Sequence, residues 1–229
     1  MSNDKNKYKI TIIEDGPYIV SGGVPLNEKI IRPNGNSYVY KEGRQLPQAE
    51  TYSLCRCGKS KTLPFCDGSH SECEFHGSET ATRENYLDRL EQLIEGPDLD
   101  LLDDGRCALA RFCYREKADV WDLTRSSDNP DDRKEAIKGA EECPAGRLLA
   151  MSKDGEFYEP DYEPSIEILQ DPEKDCSGPI AVRGKIPIVS SDGDTYEVRN
   201  RVTLCRCGES KNMPFCDGKH IAEKFKDHE

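Results

Sequence analysis

The sequence predicts an α+β protein in which two β-rich units form a pseudo-two-fold pair, with a small α+β domain between them. A sixteen-residue motif occurs twice, at residues 55–70 and 205–220, and twelve of its sixteen positions are identical. Apolar residues make up only 35% of the chain and charged residues 33%, which favours small units held by additional groups over one large hydrophobic core. We therefore expect domains at residues 1–78, 79–160 and 161–229.

Each copy of the motif lies among short segments of high β-propensity that are separated by turn signals. Neither copy alone contains enough apolar residues to bury a core. We therefore expect the strands of one copy to support those of the other, in preference to two independent units joined by a linker. The expected strands are Tyr18–Val20, Ser37–Tyr40, Tyr196–Val198 and Val202–Leu204, with turns at Asn34-Gly35 and Asp192-Gly193.

The region between the two motifs shows helical patterns instead. The spacing of apolar residues predicts a helix over residues 82–95, with Tyr86, Leu90, Leu93 and Ile94 on one face. A second helix is expected to begin at Pro130, because an asparagine precedes that proline and two aspartates follow it. Together these patterns indicate a separate domain with its own helices.

The repeated motif has the ligand pattern C-x-C-x8-C-x3-H. Its first two cysteines are two residues apart, so their side chains leave the same face of an extended segment. Its third cysteine and its histidine are four residues apart and share a face on a helical turn, which we expect to begin near Pro64 and Pro214. The candidate ligands are Cys55, Cys57, Cys66 and His70 in the first copy, and Cys205, Cys207, Cys216 and His220 in the second.

Eleven cysteines could form disulfide bonds or bind metal. The count is odd, the spacings are tight and the N-terminus has no apolar secretory segment, which favours metal-bound thiolates in a reducing, cytoplasmic compartment. Zinc accepts three cysteines and a histidine as well, but zinc sites usually place two to four residues between paired cysteines. The single residue between Cys55 and Cys57 favours an iron–sulfur cluster, with zinc as the alternative.

The residues CDGSH at 66–70 and CDGKH at 216–220, each preceded by CRCG, resemble the CDGSH iron–sulfur (mitoNEET-like) family, in its tandem-motif form. The resemblance implies two [2Fe–2S] clusters, each bound by three cysteines and one histidine. It also implies a β-rich cap, with the first two cysteines on an inner iron and the last cysteine and the histidine on an outer, more exposed iron. Lys219 stands where the family motif has serine, and this position is not a ligand.

The middle region contains three further cysteines: Cys107, Cys113 and Cys143, the last followed by proline. Bacterial ferredoxins use C-x2-C-x2-C and a later Cys-Pro, and here Ala110 occupies the second cysteine position. Residues 99–149 thus resemble a divergent single-cluster ferredoxin-like domain with one ligand missing. Three thiolates suit a [3Fe–4S] cluster, whereas a [4Fe–4S] cluster needs a further ligand. The candidates for that ligand are Cys73, His76, Cys176 and a hydroxide.

An empty ferredoxin-like fold, in which these cysteines are small core residues, remains the alternative for the middle region. For the whole chain, a net charge of −12 argues against nucleic acid, and no apolar run is long enough to cross a membrane. No nucleophile with a base and no phosphate-binding loop is evident, so we do not expect an enzyme.

The favoured function is redox or electron transfer with an unidentified redox partner. The alternative is storage of clusters or their delivery to apo-protein acceptors, and a zinc-stapled interaction module is a third. Because the tandem motifs can form the pair within one chain, we expect a monomer with internal pseudo-symmetry.

Overall fold

The computed structural model describes residues 7–227, which are mostly β-structure with few helices. The strands are β1 Lys9–Ile12, β2 Tyr18–Ser21, β3 Leu26–Asn34, β4 Ser37–Glu42, β5 Thr51–Leu54, β6 Gln92–Glu95, β7 Asp100–Asp103, β8 Leu148–Met151, β9 Phe157–Tyr158, β10 Ser165–Asp171, β11 Cys176–Arg183, β12 Ile188–Val189 and β13 Arg201–Leu204. The α-helices are α1 Val120–Arg125, α2 Pro130–Glu141 and α3 Lys219–Ala222, and single 3₁₀ turns lie at Ser69–Ser71 and Pro172–Lys174.

The strands of this described region form three sheets, in the orders β12-β1-β2-β5, β13-β11-β10-β3-β4 and β6-β7-β8-β9. The first two contain the repeated units and the third belongs to the middle domain. The predicted α+β class is therefore correct only in part, because the two outer units are almost entirely β-structure and only the middle domain has two packed helices.

The two repeated units exchange strands reciprocally. Strand β1 of the first unit pairs in parallel with β12 of the second, and β3 of the first pairs in parallel with β10 of the second. Each unit also has an antiparallel hairpin, β1–β2 or β10–β11, followed by the strand that precedes its motif. Their apolar faces form one shared core, in which Ile10 and Leu26 contact the same cluster as Ile166 and Ile188. This is the arrangement expected of a pseudo-two-fold pair.

The predicted strands around Tyr18, Ser37 and Val202 are confirmed. The turn between β3 and β4 lies at Gly35-Asn36, one residue later than predicted, because Asn34 still pairs with Ser37. The strand predicted at Tyr196–Val198 is wrong, because only Thr195 makes an isolated bridge there. The Tyr196 hydroxyl instead donates to Glu79 Oε2 over 2.6 Å. This side-chain contact and one main-chain bond, from Tyr196 N to Ile188 O over 3.0 Å, hold the stretch without a continuous strand ladder.

In the middle domain, helices α1 and α2 pack on the sheet β6-β7-β8-β9 through a separate apolar core. Helix α2 begins at Pro130 as predicted, and the Asn129 side chain accepts a hydrogen bond from Asp131 N over 2.9 Å. The helix predicted over residues 82–95 is wrong, since its last four residues form β6. Leu93 is 54% exposed there, so the helical spacing of apolar residues in this segment does not mark a buried helix face.

No helix of residues 7–227 is long and apolar enough to cross a membrane.

Candidate cluster sites

The first motif folds back on the strand that precedes it. Cys55 N donates to Pro64 O over 2.8 Å, and Cys66 N donates to Ser53 O over 2.9 Å. These two bonds bring the second half of the motif beside the first. The Sγ atoms of Cys55 and Cys57 are 3.7 Å apart, and Cys66 Sγ lies 3.4 Å from His70 Nδ1. The four predicted ligands therefore meet as two pairs.

The second motif repeats this geometry. Cys205 N donates to Pro214 O over 2.8 Å and Cys216 N to Thr203 O over 2.9 Å. The sulfur atoms of Cys205 and Cys207 are 3.5 Å apart, and Cys216 Sγ lies 3.5 Å from His220 Nδ1. Within the described part of the chain, no three His, Cys, Asp or Glu side chains converge closely enough to hold a single metal ion. A pair of donors on each side suits a dinuclear cluster, in which each iron takes one pair.

Main-chain amides point at the first sulfur of each motif. A hydrogen bond from Cys57 lowers the pKa of Cys55 although burial opposes this, and amides of the loop at residues 58–60 lower it further. The same arrangement, with Cys207 as the donor, lowers the pKa of Cys205. Because the thiolate is the form that binds iron, these contacts favour the iron-binding form of the first cysteine of each pair, whereas the hydrogen bond between the two thiols raises the pKa of Cys57 and Cys207.

In each outer pair the cysteine lies in a loop, and only the histidine lies on a short helical turn. Phe65 forms an isolated β-bridge with Leu54, so the segment after Pro64 is extended. The short helical turns begin at Ser69 and Lys219, after the third cysteine of each motif. The prediction that a helix begins near Pro64 and Pro214 is therefore wrong.

An aspartate carboxylate fixes this loop in place of the expected helix. The Asp67 carboxylate accepts from Lys61 N over 2.8 Å and from Ser69 N over 3.0 Å. Asp217 repeats both contacts, with Lys211 N at 2.9 Å and Lys219 N at 3.1 Å.

The two outer pairs differ in exposure. Cys216 and His220 are only 4% and 3% exposed, whereas Cys66 and His70 are half-buried. The middle domain covers the second site, because a Cβ atom on Gly218 would lie 2.6 Å from Leu109 Cδ1. Burial lowers the pKa of His220 to about 4. The expectation of an exposed outer iron thus fits the first site and not the second.

The ligand loops of the two motifs touch each other. A Cβ atom on Gly58 would lie 2.5 Å from Cys207 O, and one on Gly208 would lie 2.5 Å from Cys57 O. Both glycines have positive φ, of 73° and 87°. Only glycine allows this backbone conformation at such a close approach without strain, so the sequence CRCG serves the contact between the sites as well as the ligands.

The three cysteines of the middle domain line one small cavity of about 20 Å³. Burial, followed by the charges of Cys143 and Cys107, raises the pKa of Cys113 to about 12. Leu109 N donates to Cys107 Sγ over 3.3 Å. Leu109 and Arg111 have φ values of 56° and 67°, a left-handed conformation of the kind that turns main-chain amides towards anions such as iron–sulfur clusters.

The structure thus brings Cys107, Cys113 and Cys143 together as predicted, and Ala110 lines the same cavity. The residues that line it do not include the proposed further ligands Cys73, His76 and Cys176. Three protein thiolates are therefore the donor set of this site within residues 7–227.

Sequence reasoning did not identify the arginine between the first two cysteines as part of either site. Arg56 and Arg206 are both 1% exposed, which is rare for arginine. Their occurrence at the same position of both repeats was the available signal.

Comparison with known families agrees with this geometry. Residues 15–71 and 177–221 match the family described as iron-binding zinc finger, CDGSH type. Residues 94–153 match the family described as divergent 4Fe-4S mono-cluster. No curated protein and no solved structure gives a significant match to the chain. The protein is therefore an iron–sulfur cluster-binding protein that consists of two CDGSH-type segments flanking a divergent 4Fe-4S mono-cluster segment.

Proposed function

We propose that this protein is an electron-transfer protein with two [2Fe–2S] clusters and a third cluster in the middle domain. The observation that carries the proposal is the contact between the ligand loops of all three sites, combined with exposure of only one outer pair. Each cluster, when bound, accepts and returns one electron.

The residues that would hold the clusters follow from the donor pairs. The inner iron of the first CDGSH site would be bound by Cys55 and Cys57, and that of the second by Cys205 and Cys207. These are the ligands that the sequence predicts. The outer irons would be bound by Cys66 with His70 and by Cys216 with His220. Cys107, Cys113 and Cys143 would hold the third cluster, and the family match favours [4Fe–4S] there over [3Fe–4S].

The contacts between the ligand loops connect the three sites to one another. A Cβ atom added to Gly218 would lie 3.7 Å from Cys107 O. The middle site therefore adjoins the second CDGSH site. The contacts of Gly58 and Gly208 join the second CDGSH site to the first. Three sites in direct contact suit a chain that passes electrons internally better than they suit three independent stores.

The first outer pair is the expected place of exchange with a partner. Cys66 and His70 are half-buried, so a redox partner protein can approach them, whereas Leu109 and its neighbours cover the second outer pair. Since the pseudo-two-fold pair is complete within one chain, the proposed state is a cytoplasmic monomer that acts on no substrate of its own and binds neither nucleic acid nor membrane.

Delivery of clusters to apo-proteins is the second candidate, and the exposure of the same outer pair favours it. A cluster whose outer ligands are accessible can be transferred as a unit, because an incoming thiolate can reach its iron. The two functions make opposite demands on the first site, which must retain its cluster for electron transfer and release it for delivery.

The test separates these demands. The anaerobically purified protein is reduced with dithionite, freed of excess reductant and mixed either with oxidised cytochrome c or with an apo-ferredoxin. Electron transfer predicts reduction of cytochrome c while iron and sulfide stay on the chain. Transfer of iron and sulfide to the apo-ferredoxin, without reduction of cytochrome c, would favour delivery. Clusters that cannot be reduced and reoxidised would exclude the proposed function.

A further inference from the structure

The buried arginines of the two CDGSH sites have different charge environments, although their surroundings otherwise match. A guanidinium taken out of water is costly unless an opposite charge or hydrogen bonds compensate it. Phe75 faces Arg56 at 5.2 Å and Phe225 faces Arg206 at 5.2 Å. The difference lies in their polar partners.

In the described region, the hydrogen bonds of Arg56 all go to neutral carbonyl groups. Nε donates to Gly16 O over 2.7 Å, and the two terminal nitrogens donate to Gly77 O and Ile13 O over 2.6 and 2.8 Å. Asp15 lies in the same turn, but it is exposed and accepts from Gly77 N over 2.7 Å. Water screens this carboxylate, so the positive charge of Arg56 stays largely uncompensated inside the protein.

Arg206 instead forms a buried ion pair. Its Nε and one terminal nitrogen donate to carbonyl groups, but the other terminal nitrogen donates to Asp227 Oδ2 over 2.6 Å. The Asp227 side chain is 0% exposed. Asp227 also pairs with Arg44, which is itself paired with Glu28 over 2.7 Å. Among residues 7–227, this network contains two positive and two negative charges.

A single position accounts for the contrast. The two motifs are related by a constant offset of 150 residues, and Asp227 therefore corresponds to Gly77. In the first unit the carbonyl of that glycine occupies the role of the carboxylate. Two other arginines beside the second site are paired, Arg111 with Asp171 over 2.8 Å and Arg89 with Asp104 over 2.9 Å. Arg106, which lines a cavity together with Cys216, donates to the neutral Thr82 O over 3.1 Å.

We infer that Arg56 gives the first CDGSH site the higher reduction potential, because Asp227 neutralises the corresponding arginine at the second site. Adding an electron makes a cluster more negative, and a nearby uncompensated positive charge stabilises that state. The greater exposure of the first outer pair acts in the same direction, since water stabilises the higher charge. The inference rests on the proposed function only in requiring bound, reducible clusters.

The order of the reduction potentials sets the direction in which an electron moves between the two sites. An electron that reaches the second site, which the middle domain covers, moves to the first site as its lower-energy position. The first site is the one whose outer ligands a partner can approach. Arg56 and Asp227 therefore act as tuning residues, and neither is itself a ligand.

The test is an EPR-monitored redox titration of the complete, cluster-loaded chain. The expected result is two [2Fe–2S] transitions, of which a Cys66→Ala variant loses the upper one. The Asp227→Asn variant keeps the shape and most hydrogen bonds but removes the charge, so the lower transition should move upward. A tenfold change in the electron's partition between the sites corresponds to 59 mV, and at least that shift is expected.

The matched control is Asp175→Asn, which removes the same charge from an exposed ion pair with Lys226 and should leave both transitions in place. Arg56→Lys, which keeps the positive charge, should preserve the order. Coincident or reversed transitions in the unmodified protein would overturn the inference even if all clusters pass electrons to cytochrome c. An unmoved lower transition in a cluster-loaded Asp227→Asn variant would overturn it as well. Failure of reversible reduction would instead reject the proposed function.

Discussion

The close approach of the two CDGSH loops predicts an unusually large cost for adding one methyl group. Gly58 has φ 73°, and an added Cβ would lie 2.5 Å from Cys207 O. Gly155 has φ 85° with nothing within 4 Å of the same position. The Gly58→Ala and Gly155→Ala variants therefore share the backbone penalty, and only the first forces two backbone segments apart.

The magnitude follows from these two contributions. A non-glycine residue in the left-handed region costs about 1–2 kcal/mol, which is the whole expected effect of Gly155→Ala. Overpacking against backbone adds about 1–3 kcal/mol for Gly58→Ala. A change of 1 kcal/mol shifts the melting temperature by about 2–4 °C in a protein of this size. The Gly58→Ala variant should therefore melt about 2–12 °C below the Gly155→Ala variant.

The assay is thermal bleaching of the visible cluster absorbance under anaerobic conditions. EPR of the fully reduced protein gives a second measure, because separating the loops weakens the magnetic interaction between the two clusters. Equal midpoints for the two variants, with an unchanged EPR interaction, would refute the claim that the loops are in contact.

Three further predictions follow from individual contacts. The cluster at Cys66 and His70 should bleach first when an iron chelator is added, because its outer pair is half-buried and that of the second site is buried. Loss of both clusters in a single phase would contradict this prediction. Tyr18→Phe should lower the free energy of unfolding by about 1–2 kcal/mol, since the Tyr18 hydroxyl donates to Cys205 O over 2.8 Å and joins the first unit to the second motif. The control is Tyr38→Phe. The exposed Tyr38 hydroxyl contacts Glu173 at 3.3 Å, so this variant should change the free energy of unfolding little. Cys143→Ala should remove only the third cluster and lower the iron content from about eight to about four per chain; an iron content that stays the same as in the unmodified protein would show that Cys143 is not needed to hold a cluster.

The ligands of the two CDGSH sites could be predicted because they occur in a repeated pattern. Spacing alone placed Cys55 with Cys57 and Cys66 with His70, and the structure confirms both pairs. The mutual support of the two units could also be anticipated, because neither had enough apolar residues for a core. The partners of each strand could not, since parallel pairing of β1 with β12 joins residues far apart in sequence.

The failures have a common physical origin. The helix predicted over residues 82–95 relied on apolar spacing, but Tyr86 and Leu90 pack on the face of the middle sheet while Leu93 is left exposed. The inequality of the two sites could not be read from motifs that are nearly identical. It arises from Leu109, which covers Gly218, and from Asp227, which lies outside the motif. Both effects depend on tertiary packing.

The most direct test of the central claim is the iron and acid-labile sulfide content of the anaerobically purified protein, with EPR spectra before and after reduction. The account predicts about eight irons and eight sulfides per chain, from two [2Fe–2S] clusters and one [4Fe–4S] cluster, and reduced-state signals from all three. About four irons would leave the two CDGSH clusters but contradict a chain of three sites. Zinc without iron would contradict the account as a whole.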